Sequence, residues 1–290
     1  MQTLTRCLLF TALAVSGATP LLAHAADEAH CKFSEPRKLD LDLAGAKSVL
    51  FKVGSNDLKL KASAGASGAL SGRACASSQD RLKDLTLTQQ RQGDKLVVSL
   101  AEDRPLRFSM GESYTYLDIS GTVPADVLVQ LDVGSGDATL DGARAASADV
   151  GSGDVELRDI AGPVTAKVNS GDLKLHGAGS LRLLSIGSGD VEGDRIGGAV
   201  EVGDVGSGDL TLRQTGAVTV KSIGSGDVGL RGVSGNVEVG SIGSGDLRVD
   251  DVRGNFTVHS VGSGDVDTGR VSGTVSVPLS LIHISEPTRP

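Results

Sequence analysis

The sequence predicts an all-β fold: a parallel β-solenoid (β-helix) of 17–19-residue coils, two short strands per coil, with an irregular N-terminal β cap. Three observations carry that prediction. The tetrapeptide GSGD recurs at 134–137, 151–154, 187–190, 206–209, 224–227, 243–246 and 262–265, and NSGD at 169–172 fills the single gap. Apolar residues return at fixed offsets from each aspartate. The composition suits a thin core, since 40 of 290 residues are Gly, 2% are aromatic and none is Trp. An interior without large rings must be built from Val, Leu, Ile and Ala.

Residues 1–25 read as a secretory signal peptide. Arg6 supplies the positive start, 7–15 with Leu21 and Leu22 the apolar stretch, and Ala23-His24-Ala25 a small-x-small cleavage site. The chain is therefore expected to be exported, to the periplasm or to the cell surface and exterior. No run of 18 apolar residues follows, so no spanning helix is expected in the mature chain. Cleavage leaves Cys31 and Cys75 as its two cysteines. In an exported chain that pair is most simply one disulfide. Closing a loop of about 44 residues contributes roughly 3–4 kcal/mol in the chain-entropy treatment.

Residues 26–127 predict the cap. Alternating apolar and polar residues mark strands at 38–43, 48–53, 57–62, 84–90, 95–101 and 114–120, and no segment carries a helical period. Most of the aromatics (Phe33, Phe51, Phe108, Tyr114, Tyr116) fall here. Gly54-Ser55-Asn56-Asp57-Leu58 reads as a degenerate copy of the repeat. A cap is needed because an open solenoid end exposes unpaired strand edges.

Residues 128–278 predict the solenoid. The eight aspartates Asp137, Asp154, Asp172, Asp190, Asp209, Asp227, Asp246 and Asp265 are 17, 18, 18, 19, 18, 19 and 19 residues apart. After Asp227 the apolar positions are Val228, Leu230, Val233, Val237, Val239 and Ile242, and the next unit repeats the pattern from Leu247 to Val261. Intervals of 2, 3, 4, 2 and 3 describe a pseudo-repeat of nine, in which the interval of two is the strand period. So small a unit buries its apolar face only by stacking on its neighbours. A hexapeptide helix would repeat every six residues. A calcium-binding nonapeptide roll would set its aliphatic residue two after the Asp, whereas here it is one after. Gly224 and Gly226 are expected to supply positive φ at a sharp corner, with Asn169 the residue best able to replace Gly there. Gly162, Gly179, Gly198, Gly216, Gly235, Gly254 and Gly273 mark the opposite corner. Residues 279–290, LSLIHISEPTRP, abandon the repeat and resemble the translated read-through of a sequencing adapter. They are expected to be non-native, which removes His283 and Glu286 from any site.

The chemistry is sparse. A formal charge of −8 and a pI near 5.1 argue against a phosphate-tracking surface and a nucleic-acid partner. His30, His176 and His259 are far apart and form no zinc motif. No Ser sits in G-x-S-x-G. Residues 224–229 match G-x-G-x-x-G only as one copy of the repeat, with no helix after it. Phe256 is the single aromatic residue of the repeats, which leaves a polysaccharide enzyme no platform. No catalytic residue and no enzymatic activity are expected. The aspartate column is the feature with chemical potential. Its carboxylates should stand about 5 Å apart on one edge, where each neighbouring pair repels by roughly 0.8 kcal/mol in water. Turn N–H groups can offset this. Bound divalent cations, Ca²⁺ in particular, are the other possibility and would make the column a metal site. No further cofactor is expected.

The VGSGDVxL units behind a signal peptide and β cap resemble the bacterial putative-adhesin β-strand-repeat family over about 47–278. That resemblance implies an exported, repeat-built protein with adhesin-like binding and no catalytic residues to carry over. The leading expectation is thus a non-enzymatic exported scaffold binding an envelope or surface ligand. The second is a cation-stabilised structural or sensor module using the aspartate column, and the third a polysaccharide-active solenoid enzyme. Self-association through an exposed terminal rung is open to all three.

Overall fold

A computed structural model describes residues 31–102, 113–278 and 282–284. Every strand among the described residues belongs to the unit Lys32–Pro290. The signal-peptide reading, Phe108 and most of the adapter-like tail lie outside the described residues. The predicted architecture is present: all-β, with a parallel β-solenoid of about eight turns.

The chain opens with β1 (Phe33–Asp40), β2 (Ser48–Gly54), β3 (Asp57–Ser63) and β4 (Ala69–Ala76). A short 3-10 turn at Gln79–Asp84 leads to β5 (Leu85–Gln92), β6 (Lys95–Glu102) and β7 (Thr115–Pro124). Five of these strands fall close to the expected places. The first begins earlier, because Phe33–Asp40 pairs along its whole length with β4. Neither β4 nor the 3-10 turn was expected. The sequence of β4, ALSGRACA, hides its alternation behind small residues, and Gly72 is required there: a Cβ would stand 2.0 Å from the Asp118 carbonyl oxygen.

From residue 128 the strands come two to a coil: β8 (Leu128–Val133) and β9 (Ala138–Asp141), then β10 (Ala145–Val150) and β11 (Val155–Val168). In β11 and in β12 (Leu173–Ile186) the strand runs on through the second corner. Regular pairs follow: β13 (Val191–Ile196) and β14 (Val200–Val205), β15 (Leu210–Thr215) and β16 (Val218–Ile223), β17 (Val228–Val233) and β18 (Val237–Ile242). The stack closes with β19 (Leu247–Val252), β20 (Phe256–Val261), β21 (Val266–Val271) and β22 (Val275–Ser276), and β23 (Ile282–Ile284) pairs in parallel with β21.

The stack reaches back beyond residue 128. β2 pairs in parallel with both β6 and β8, and β3 with both β7 and β9. The spatial order of coils is therefore 95–124, then 48–63, then 128–141, so the second coil in space is made before the first. Antiparallel strands finish the N-terminal end: β4 on β7, β1 on β4, and β5 on β6. Side chains bridge β1 to the 3-10 turn and to β5. Arg37 Nη2 donates to the Leu82 carbonyl at 2.7 Å, and Gln89 Nε2 donates to the Asp40 carbonyl at 2.9 Å. Leu82 itself is buried. Strand edges that would otherwise lie open are thus occupied by side-chain hydrogen bonds. Cys31 and Cys75 form the expected disulfide.

The core follows the predicted offsets. Val228, Leu230, Val233, Val237, Val239 and Ile242 are all at most 3% exposed. Each is a side chain whose full burial contributes about 1.5–3 kcal/mol. Constant register stacks like on like: Val228 on Leu247, Leu230 on Val249, Val233 on Val252. Phe256 takes a Val position, between Val237 and Val275, and with Phe51 is among the largest fully buried side chains.

The corners correct the sequence reading. Gly224, Gly226 and Asn169 do not adopt positive φ. Glycine is needed at 226 because coils approach too closely for a side chain: a Cβ there would lie 2.0 Å from the Gly208 carbonyl oxygen. The cause is a three-centre contact, in which the Gly206 carbonyl accepts the N–H groups of both Ser225 (2.8 Å) and Gly226 (3.0 Å). Asn169 is accommodated differently, its amide donating to the Val150 carbonyl at 3.1 Å. Positive φ occurs instead five residues after each aspartate of the repeats, at Gly142, Asp159, Gly177, Arg195, Gln214, Gly232, Asp251 and Arg270, with φ between 49° and 83°. Five of these eight carry a side chain, at a cost of about 1–2 kcal/mol each. This left-handed residue turns two successive side chains outward, which is why the buried positions are three apart at that point.

Candidate functional site

Along the GSGD edge six of the seven steps from Asp137 to Asp265 tie one aspartate to the next, the step from Asp154 to Asp172 being the exception. The Asp137 carboxylate accepts the Asp154 N–H at 3.0 Å, and the same bond joins Asp172 to Asp190, Asp190 to Asp209, Asp209 to Asp227, Asp227 to Asp246 and Asp246 to Asp265 at 2.9–3.0 Å. Each backbone carbonyl points the other way; that of Asp246 accepts the Val228 N–H at 2.9 Å. The main-chain donors that a stacked column of carboxylates requires are therefore supplied from rung to rung. An amide version occupies the opposite corner, nine residues on. Asn236 Oδ1 accepts the Asn255 N–H and Asn255 Oδ1 accepts the Thr274 N–H, both at 2.9 Å.

Two aspartates beyond the eight of the repeats extend the column. Asp57 stands in register with Asp118, and Leu58 with Ala138, so the spatial order begins Asp118, Asp57, Asp137. The GSND segment signalled Asp57. Asp118 has no GSG before it and could be found only from strand register. Asp57 is partly buried. Burial pushes its carboxyl above the usual range, against the lowering effect of the Asp137 N–H, and the charges of Asp137 and Asp118 push it further up. Among the described residues no group of three or more His, Cys, Asp or Glu side chains is placed to hold a metal ion.

The histidines remain separate. His176 Nδ1 lies 2.6 Å from Asp194 Oδ1, and His259 Nε2 lies 2.9 Å from Glu238 Oε1. His30 falls outside the described residues.

The other recessed feature flanks the left-handed column. Two adjoining cavities of about 550 and 770 Å³ share Gln214, Gly232 and Asp251. Arg213 and Arg231 line the first, Arg253 and Arg270 the second. Arg270 is bound to both Asp251 and Asp250, at 2.7 Å to the latter. That guanidinium holds the Asp251 carboxyl below the usual carboxylate range. No motif marked these arginines. They emerge only when coils are aligned and the outward residues four, five and seven places after each Asp are read as columns.

No protein-family model and no curated protein matches the chain. Among solved structures it is similar to a "putative adhesin" from Parabacteroides distasonis ATCC 8503, at 16% identity over 88% of this chain and 94% of that one, with a TM-score of 0.50. A "putative lipid binding protein" from the same organism is 17% identical over 88% of this chain and 97% of its own, at a TM-score of 0.48. A "putative adhesin" from Bacteroides fragilis NCTC 9343 is 16% identical over 84% and 97%, at 0.46. At 16% identity the likeness to the first of these is one of fold alone. No helix among the described residues is long and apolar enough to cross a membrane.

Proposed function

We propose that the chain is a non-enzymatic, adhesin-like binding scaffold, exported to the periplasm or cell surface, whose ligand belongs to the cell envelope or to an apposed surface. One observation carries this reading. The outward positions of β13, β15, β17, β19 and β21 repeat in constant register, so that side chains from successive coils form columns about 5 Å apart on one rigid face. A face of that kind offers many equivalent contacts to an extended partner. The Cys31–Cys75 disulfide fits an oxidising compartment, and the adhesin names attached to proteins of similar fold point the same way.

The test is saturable binding of the purified full chain to isolated cell envelopes, followed by sedimentation. Saturation at micromolar concentration is expected. Non-saturable association, or a hydrolytic activity abolished by replacing one side chain, would overturn the reading.

A further inference from the structure

We infer that the cleft over Gly232 is a binding site for a hydroxylated carboxylate of the sugar-acid class, which gives the scaffold reading above a ligand chemistry and rests on it. The cleft exists because one column has a gap. The left-handed positions beside Gly232 carry Gln214 and Asp251, and the missing side chain between them joins two cavities whose volumes are those of small-ligand sites.

Carboxylates of Glu192, Asp194 and Asp251 line it beside the arginines, yet not every guanidinium is paired. Arg213 stands in register with Asp194 on one side and Arg231 on the other. Asp194 is already engaged, by His176 at Oδ1 (2.6 Å) and by Arg195 at Oδ2 (3.1 Å). Arg231 reaches only to 3.7 Å from Asp251 and 3.9 Å from Asp250, both of which Arg270 holds more closely. Arg213 therefore has no ion pair among the described residues, and its strand neighbour one rung away, Arg231, carries the same charge. Across the cleft Arg253 is flanked by Ser234 and Ser272 and likewise has no carboxylate partner among the described residues. A bound carboxylate supplies what these guanidinium groups lack, in the planar two-point geometry that Arg prefers.

The remaining lining selects the rest of the ligand. Asp251 and the Gln214 amide oxygen accept hydrogen bonds, so they call for ligand hydroxyls. No Phe, Tyr or Trp lines either cavity, so recognition falls on polar atoms instead of stacking. An added peptide strand is excluded, because both edges of β17 are already paired, to β15 and β19.

Calorimetry on the full chain tests this with galacturonic acid, trigalacturonate, neutral maltotriose and a tri-aspartate peptide. Wild type should bind the galacturonates and neither of the other two. Tighter binding of the trimer assigns the site to acidic polysaccharide, and equal binding to the free acid. Gly232→Gln should lose at least tenfold in affinity while its melting temperature falls by only a few degrees, since a Cβ at 232 meets Gln214 atoms only at 3.6 Å or beyond and the left-handed φ of +74° is one that Gln214 already adopts in the neighbouring coil. Arg213→Ala should lose a similar factor. No binding of either galacturonate, undiminished binding by both variants, or equal binding of maltotriose or tri-aspartate would each overturn the inference. Should Gly232→Gln still saturate cell envelopes like wild type, the sugar-acid site falls and the scaffold function stands.

Discussion

Asn56 Oδ1 accepts the backbone N–H of Leu117 at 2.7 Å, across 61 positions of sequence. Its Nδ2 donates to the Val53 and Leu100 carbonyls at 2.9 and 3.1 Å. Asn56 occupies the place that the second Gly holds in GSGD. Elsewhere that Gly lies against a glycine-containing corner of the coil before it. Here the facing strands are β6 and β7, and one side chain serves a main-chain group of each, the Leu100 carbonyl and the Leu117 N–H.

Restoring the consensus at this point should therefore do harm. Asn56→Gly strands a buried N–H and a buried carbonyl, each worth about 1–3 kcal/mol. A fall in unfolding free energy of roughly 2–4 kcal/mol is expected, read as a lower urea midpoint at unchanged slope. A stability equal to wild type would contradict the role assigned to the amide.

The GSGD corner makes the opposite prediction. Gly226→Ala drives a Cβ into the Gly208 carbonyl and should cost about 3 kcal/mol or more, because backbone must move in two coils. Ser225→Ala, one residue away on an exposed hydroxyl, should stay within about 0.5 kcal/mol. Thermal melts of the two variants side by side decide the matter.

Asp57 sets a pH dependence. Its folded-state carboxyl titrates above the unfolded one, so folding favours the protonated form. The charge consequently destabilises the fold at every pH above the folded value, and the penalty disappears as pH falls below the unfolded value near 3.8. Asp57→Asn keeps an oxygen for the Asp137 N–H and removes the charge. Its melting temperature should exceed wild type at pH 7 and converge with it near pH 3. An equal difference at both pH values would show that charge is not the cause.

The aspartate ladder is expected to stack without a cation, since in six of its seven steps from Asp137 to Asp265 a rung supplies an N–H to the carboxylate before it. Melting in chelator and in millimolar calcium should agree within about 2 °C. A rise of many degrees in calcium would assign the column to metal.

Much of the solenoid was legible from residue identity alone, because coil and sequence period coincide: an aliphatic residue one after Asp227 points inward, and so does Val228's partner in every other coil. What escaped is what depends on contact between coils. The reason for Gly226 is a neighbour's carbonyl, not its own φ. The left-handed residue is Gly232 in one coil and Arg270 in another, so no residue type marks it. Asp118 joins the aspartate column only because β7 folds beneath β3, and Arg213 acquires meaning only when Asp194 is found engaged elsewhere.

The coil at 48–63 lies between two coils that the chain has yet to make, and this divides the protein by its tolerance of change in length. Downstream, inserting or deleting one whole unit of 18 or 19 residues returns every strand to its register, so the number of coils is free to vary. Upstream there is no such unit. Residues 48–63 complete one neighbour through β6 and β7 and another through β8 and β9, and losing them would leave both without a floor. The beginning of the chain is a keystone, and its remainder is a count.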